Sequence, residues 1–127
     1  FIKFKKTHLI IARSGGSSIA EIIATHIPSI LIPLPTALDN HQTENAEFIA
    51  NIKGGWLINQ STFNSKAFII LIQNLMTNPK KLKAANLNIK NISINNLNLL
   101  QNNSSIDFVL NIIFKLINKH PQKGIKQ

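Results

Sequence analysis

The sequence predicts an α/β domain, a parallel sheet with helices on both faces. Three observations predict it. Short β-branched apolar runs at residues 8–12 and 29–32 are each followed by a turn and an amphipathic segment of helical length. A third apolar run, at 55–58, follows the second of those segments. Strands that alternate with helices of ten or more residues make parallel sheets, because each crossover must return along the face of the sheet.

The elements follow in order. Residues 8–12 read as a buried strand that runs into a glycine turn. Residues 17–26 read as a helix, with Ile19, Ile22, Ile23 and His26 at helical spacing and Pro28 as its stop. Residues 29–32 are the second strand, closed by Pro33 and Pro35. A polar loop at 36–42 leads into a helix from about Asn40 to Lys53, which Gly54 and Gly55 end. Residues 55–58 are the third strand. Ser61 and Thr62 are candidate caps for a helix that stops at Pro79, with Phe68, Leu71, Ile72 and Leu75 on one face. Pro79 can open a further helix, over 80–89. Residues 86–103 are rich in asparagine and read as a loop or a degraded helix. Ser104 and Ser105 cap a last helix at about 105–118, and the remainder is a polar tail.

Composition narrows the class. The 127 residues are 44% hydrophobic, enough for one core. The apolar stretch at 106–117 is shorter than the roughly 18 to 20 residues that span a bilayer. There are no cysteines, so a disulfide framework is excluded. The net charge of +9 suits a phosphate-bearing partner or an anionic membrane surface. It also fits a chain crowded with Ile, Asn and Lys, the residues of AT-rich codons. Aromatic residues are sparse and do not interleave with the lysines, so nucleic acid is not an expected partner. The first residue is Phe1, and the expectation is a piece of a longer protein.

Ligands of open parallel sheets bind at the carboxyl ends of the strands. Two loops lie there. In the first, Ser14-Gly15-Gly16-Ser17-Ser18, the glycines allow a tight turn and a close approach of backbone to ligand. The amides of Gly16, Ser17 and Ser18 open the helix, and together with its dipole they suit a diphosphate. A strand-to-helix turn favours Gly and Ser without any ligand, so both readings stand. The turn is neither G-x-G-x-x-G nor a P-loop. Glu21 can accept from the vicinal hydroxyls of a ribose, or can simply pair with the helix dipole. The second loop, residues 33–46, carries Asp39, Asn40, His41, Gln42, Glu44 and Asn45. Gln42 both donates and accepts, as sugar hydroxyls require. His41 has no second ligand at credible spacing, so no metal site is expected. A triad of Ser14, His41 and Asp39 is rejected, because Ser14 is not in a G-x-S-x-G elbow.

These blocks carry a resemblance. LIIARSGGSSIAEI, PSILIPLPTALDNHQTENA and GGWLI, together and in this order, resemble the C-terminal half of the MurG family of bacterial N-acetylglucosaminyltransferases. The likeness covers residues 8–60 by motif and 61–118 by helix layout. It implies one Rossmann-like half of a GT-B glycosyltransferase over 1–118, with a polar tail over 119–127. It implies UDP-N-acetylglucosamine as donor, with the diphosphate on the 14–18 turn. Gly16, Ser17, Ser18, Ile19, Ala20 and Glu21 would line the nucleotide-sugar, with Glu21 on the ribose. Gln42 would contact the GlcNAc hydroxyls, and Arg13 and Asn45 would support the site. The implied reaction is inverting transfer without metal or cofactor. The lipid-linked muramoyl-pentapeptide acceptor and the catalytic base belong to an N-terminal domain outside this chain, so no catalytic residue is assigned here. The implied location is peripheral, on the cytoplasmic face of the bacterial inner membrane. Rival readings are another GT-B enzyme and a non-catalytic module or remnant. The small subunit of the dolichol-linked GlcNAc transferase has a His-Ala-Gly turn where this chain has Arg13-Ser14-Gly15.

Overall fold

A computed structural model of the chain describes residues 6–36 and 40–92. Asp39, the helix expected at 105–118 and the tail at 119–127 lie outside the described residues. Within them the order is β1 (Ile10–Ala12), α1 (Gly16–Thr25), β2 (Ser29–Leu31), α2 (Asn40–Asn51), β3 (Gly55–Leu57), α3 (Ser65–Thr77) and α4 (Pro79–Lys90). The strands are parallel in the order β1-β2-β3, with Ile11 opposite Ile30 and Ile30 opposite Trp56. The α/β class expected from the alternation holds.

The pleat decides which side chains enter the core. Ile10, Ala12 and Leu31 join Ile19, Ile22 and Ile23 of α1 and Ala46, Phe48 and Ile49 of α2 in one cluster. Helices α1 and α2 touch each other over this face. Ile30 points to the opposite face and is 0% exposed, so the centre of that face is covered too.

Two helix ends differ from the sequence reading. His26, expected as a helical position, caps α1 in the left-handed conformation, with φ 57°. The left-handed residue after α2 is Lys53, φ 58°, where a glycine was expected. Around it Lys53 donates to the Ala50 carbonyl and Gly54 to that of Ile49, which closes the helix with paired carbonyls. The two glycines have another role. A Cβ on Gly54 would sit 2.6 Å from Ile89 of α4, and one on Gly55 only 2.3 Å from the Ser29 carbonyl oxygen. They let α4 and β2 approach the end of α2.

The α3–α4 hairpin is also capped differently from the expectation. Gln60–Thr62 form a 3-10 turn, and the cap of α3 is Asn64, whose Oδ1 accepts from Ala67 N at 3.0 Å. The Phe63 and Phe68 rings, 5.4 Å apart, bracket that cap as a hydrophobic staple. Pro79 opens α4 as expected. Helix α4 runs on to Lys90, so Asn86 and Asn88 are helical. Asn86 donates to the His26 carbonyl at 2.7 Å and Asn88 to the Lys53 carbonyl at 3.0 Å. Both left-handed helix ends are thus satisfied by α4, which also buries Ile89.

Candidate functional site

The carboxyl ends of β1 and β2 bring the two expected loops together. Arg13 donates from Nη1 to the carbonyls of Ile32 and Pro33, at 3.1 and 3.3 Å. Its guanidinium is therefore engaged by the loop that follows β2. Ser14 is 0% exposed, and its hydroxyl donates to the Gln42 carbonyl at 2.6 Å. Asn45, 3% exposed, returns a hydrogen bond from Nδ2 to the Ser14 carbonyl at 3.0 Å. The Asn45 Oδ1 is buried with no hydrogen-bond partner among the described residues. Gln42 accepts at Oε1 from Leu34 N at 2.9 Å, which fixes the orientation of its carboxamide. These bonds staple the first turn to the start of α2 and hold the post-β2 loop against both.

Above this staple the end of α1 is open. Gly15 is the N-cap, extended at φ −62° and ψ 156°, and no side chain caps the helix. The first amide with an intrahelical partner is that of Ile19, bonded to the Gly15 carbonyl at 3.0 Å. The amides of Gly16, Ser17 and Ser18 precede it and have no carbonyl within the helix to reach. The tight-turn reason for glycine fails here, because φ at Gly15 is negative and any residue adopts that backbone. A Cβ added at Gly15 meets no heavy atom of the described residues within 4 Å. Among the described residues, the missing side chain leaves open space beside the amides.

The other expected residues divide. Ser17 is exposed and Ser18 half-buried. Ile19 and Ala20 are core residues, so only their backbone can face a ligand. Glu21 is the sixth residue of α1, beyond the first turn, which removes the simple dipole-pairing account of it. It is exposed and lies one turn below Ser17 on the same helix face. His41 pairs with Glu44 at 3.5 Å, and the Ser14 hydroxyl donates to the Gln42 carbonyl and not to an imidazole. Among the described residues no three His, Asp or Glu side chains cluster as metal ligands. Leu34 was not anticipated as a site residue. Its contribution is a backbone N–H, and side-chain type carries no signal for that.

Comparison with known proteins identifies the family of the domain. Residues 3–100 match the glycosyltransferase family 28 C-terminal domain. The chain is 39% identical over 88 residues to the UDP-N-acetylglucosamine–N-acetylmuramyl-(pentapeptide) pyrophosphoryl-undecaprenol N-acetylglucosamine transferase of Rickettsia felis, covering 69% of this chain and 24% of that protein. It is 38% identical over 99 residues to the protein of the same name from Pelagibacter ubique, covering 75% of this chain and 28% of that one. A crystal structure of Acinetobacter baumannii MurG superposes with a TM-score of 0.63 at 27% identity, covering 88% of this chain and 30% of the other. The chain thus spans less than a third of the length of these relatives. With the family model matched over most of its length, the chain belongs to glycosyltransferase family 28, whose C-terminal domain it carries.

Proposed function

We propose that the chain is the donor-binding half of an inverting N-acetylglucosaminyltransferase that converts lipid I to lipid II, with UDP-N-acetylglucosamine as donor. The observation that best supports this reading is the uncapped end of α1, with open space at Gly15. In it the amides of Gly16, Ser17 and Ser18 hold the diphosphate, aided by the helix dipole. Glu21, one turn along, accepts from the ribose hydroxyls. Gln42 contacts the GlcNAc hydroxyls. Ser14, Asn45 and Arg13 act by position, through the staple between the loops, and Ile19 and Ala20 anchor the helix in the core.

The acceptor hydroxyl attacks the anomeric carbon, the bond from that carbon to the diphosphate oxygen breaks, and UDP leaves. Helix-end amides stabilise the charge that develops on the leaving diphosphate. The acceptor, a lipid-linked muramoyl-pentapeptide, and the base that deprotonates it are assigned to the additional length found in the relatives. The chain alone is therefore expected to bind donor without turnover. Its place is peripheral, at the cytoplasmic face of the bacterial inner membrane. Among the described residues no helix is long and apolar enough to cross a membrane.

The test is calorimetric titration of the full chain with UDP-N-acetylglucosamine. The expected result is saturable binding that Glu21→Ala weakens by about ten-fold or more, the worth of a charged hydrogen bond. Equal heats for the two proteins would remove Glu21 from the ribose.

A further inference from the structure

The two helices that carry the proposed donor site are joined at both ends. At the carboxyl ends of the strands, the Ser14 hydroxyl bonds to the Gln42 carbonyl and Asn45 Nδ2 to the Ser14 carbonyl, which ties the start of α1 to the start of α2. At the far ends a third helix does the joining. Asn86 of α4 donates from Nδ2 to the carbonyl of His26, the residue that ends α1, at 2.7 Å. Asn88 donates from Nδ2 to the carbonyl of Lys53, just past the end of α2, at 3.0 Å. Helix α4 therefore spans the two ends as a strut.

The seat of α4 has little slack. Ala85 and Ile89 are buried, and a Cβ on Gly54 would meet Ile89 Cγ1 at 2.6 Å. Helix α4 thus lies as close to the end of α2 as a glycine permits. Water can satisfy the last carbonyls of a helix at a protein surface, and the bond to the Lys53 carbonyl is an exposed one. The two asparagine bonds therefore add position more than satisfaction. Helix α1 has 10 residues, a length of about 15 Å, and its apolar face is built into the core cluster. A rigid rod held along its length by a close-packed core shifts at both ends when one end is released.

We propose that Asn86 and Asn88 are positioning residues for the donor site. They act from the opposite end of α1, about 15 Å from its open amides. By fixing the ends of α1 and α2 they set the distance between the amides of Gly16, Ser17 and Ser18 and the side chain of Gln42, the groups that must meet one nucleotide-sugar. A shift of about 0.5 Å is enough to spoil such a constellation. The coupling runs both ways: if seating α4 favours donor binding, then bound donor favours the seating of α4. The inference rests on the proposed donor reading, and the experiment separates the two.

The experiment titrates the full chain and two variants with UDP-N-acetylglucosamine and follows the amide resonances of Gly16, Ser17 and Ser18. The double variant Asn86→Leu with Asn88→Leu keeps the branched shape and removes both donors. It should lower donor affinity at least about three-fold and move the three resonances before any donor is added. Asn64→Ala removes the cap of α3 in the same hairpin. It should lower Tm as well, but leave affinity within about two-fold and the three resonances in place. A smaller loss in the double variant, unmoved resonances, or an equal loss in Asn64→Ala would overturn the inference. A wild type that does not bind the donor would refute the donor reading, and the donor-free resonances would still decide the role of the strut. Hydrogen exchange on the wild type decides the case in which the double variant does not fold. Saturating donor should slow exchange at Leu87, Asn88, Ile89 and Lys90 at least about three-fold more than at residues 70–75 of α3. Equal slowing of the two helices would overturn the inference.

Discussion

Substituting Gly15 by Ala separates the fold from the site. The backbone at Gly15, φ −62° and ψ 156°, suits alanine, and the added methyl meets no heavy atom of the described residues within 4 Å. Two small effects then oppose each other. Alanine restricts the unfolded chain and stabilises by about 0.4–1 kcal/mol. Alanine is also a poorer N-cap than glycine, by about the same amount. The net change is expected within about 0.5 kcal/mol, or a few degrees in Tm. Binding should respond differently. A diphosphate oxygen bonded to the helix-end amides lies about 2.9 Å from nitrogen, and a methyl beside them competes for that space. Losing one charged hydrogen bond costs about 1.5–3 kcal/mol, some 10- to 100-fold in affinity. A thermal melt and a titration with UDP-N-acetylglucosamine on the same preparation read both quantities. Donor affinity within two- to three-fold of wild type would refute the placement of the diphosphate. A Tm lower by ten degrees would refute the reading of Gly15 as structurally unconstrained.

Other perturbations test the frame. Gly55→Ala puts a methyl 2.3 Å from the Ser29 carbonyl oxygen, and denaturant unfolding should show a loss of about 3 kcal/mol or failure to fold. Lys53→Gly relieves a left-handed residue, φ 58°, and should raise stability by up to about 1 kcal/mol in the same assay. Burial, and secondarily the charge of Lys90, hold the His26 pKa below its ordinary value. The unfolded chain then binds the proton more readily, so this contribution is intact above about pH 6.5 and is lost as pH falls below it. His26→Asn, which tolerates the left-handed backbone, should flatten the dependence of Tm on pH in that window.

Much of this was legible in the sequence, for identifiable reasons. The strand and helix order follows from periodicity, and Pro79 opens α4 because proline suits a first helical turn. The helix ends were harder. Asn64 outcompetes Ser61 and Thr62 as the α3 cap because the Phe63–Phe68 staple fixes the point of entry. Lys53 takes the left-handed position because Gly54 and Gly55 are needed for close packing against Ile89 and β2. The asparagines at 86 and 88 looked compositional, yet they cap carbonyls far away in sequence. In the site, residue type pointed to the two loops, but the staple runs largely through backbone carbonyls. No side-chain pattern announces that Ser14 bonds to the Gln42 carbonyl, or that Leu34 orients the Gln42 side chain.

The central claim is that the open end of α1 holds the diphosphate of a nucleotide-sugar. Amide proton and nitrogen shifts of the full chain, followed during titration with UDP-N-acetylglucosamine, test it most directly. The account predicts saturable shifts that are largest at Gly16, Ser17 and Ser18, with smaller ones at Glu21 and Gln42. Saturation without movement of those three amides, or no response to the donor at all, would contradict it.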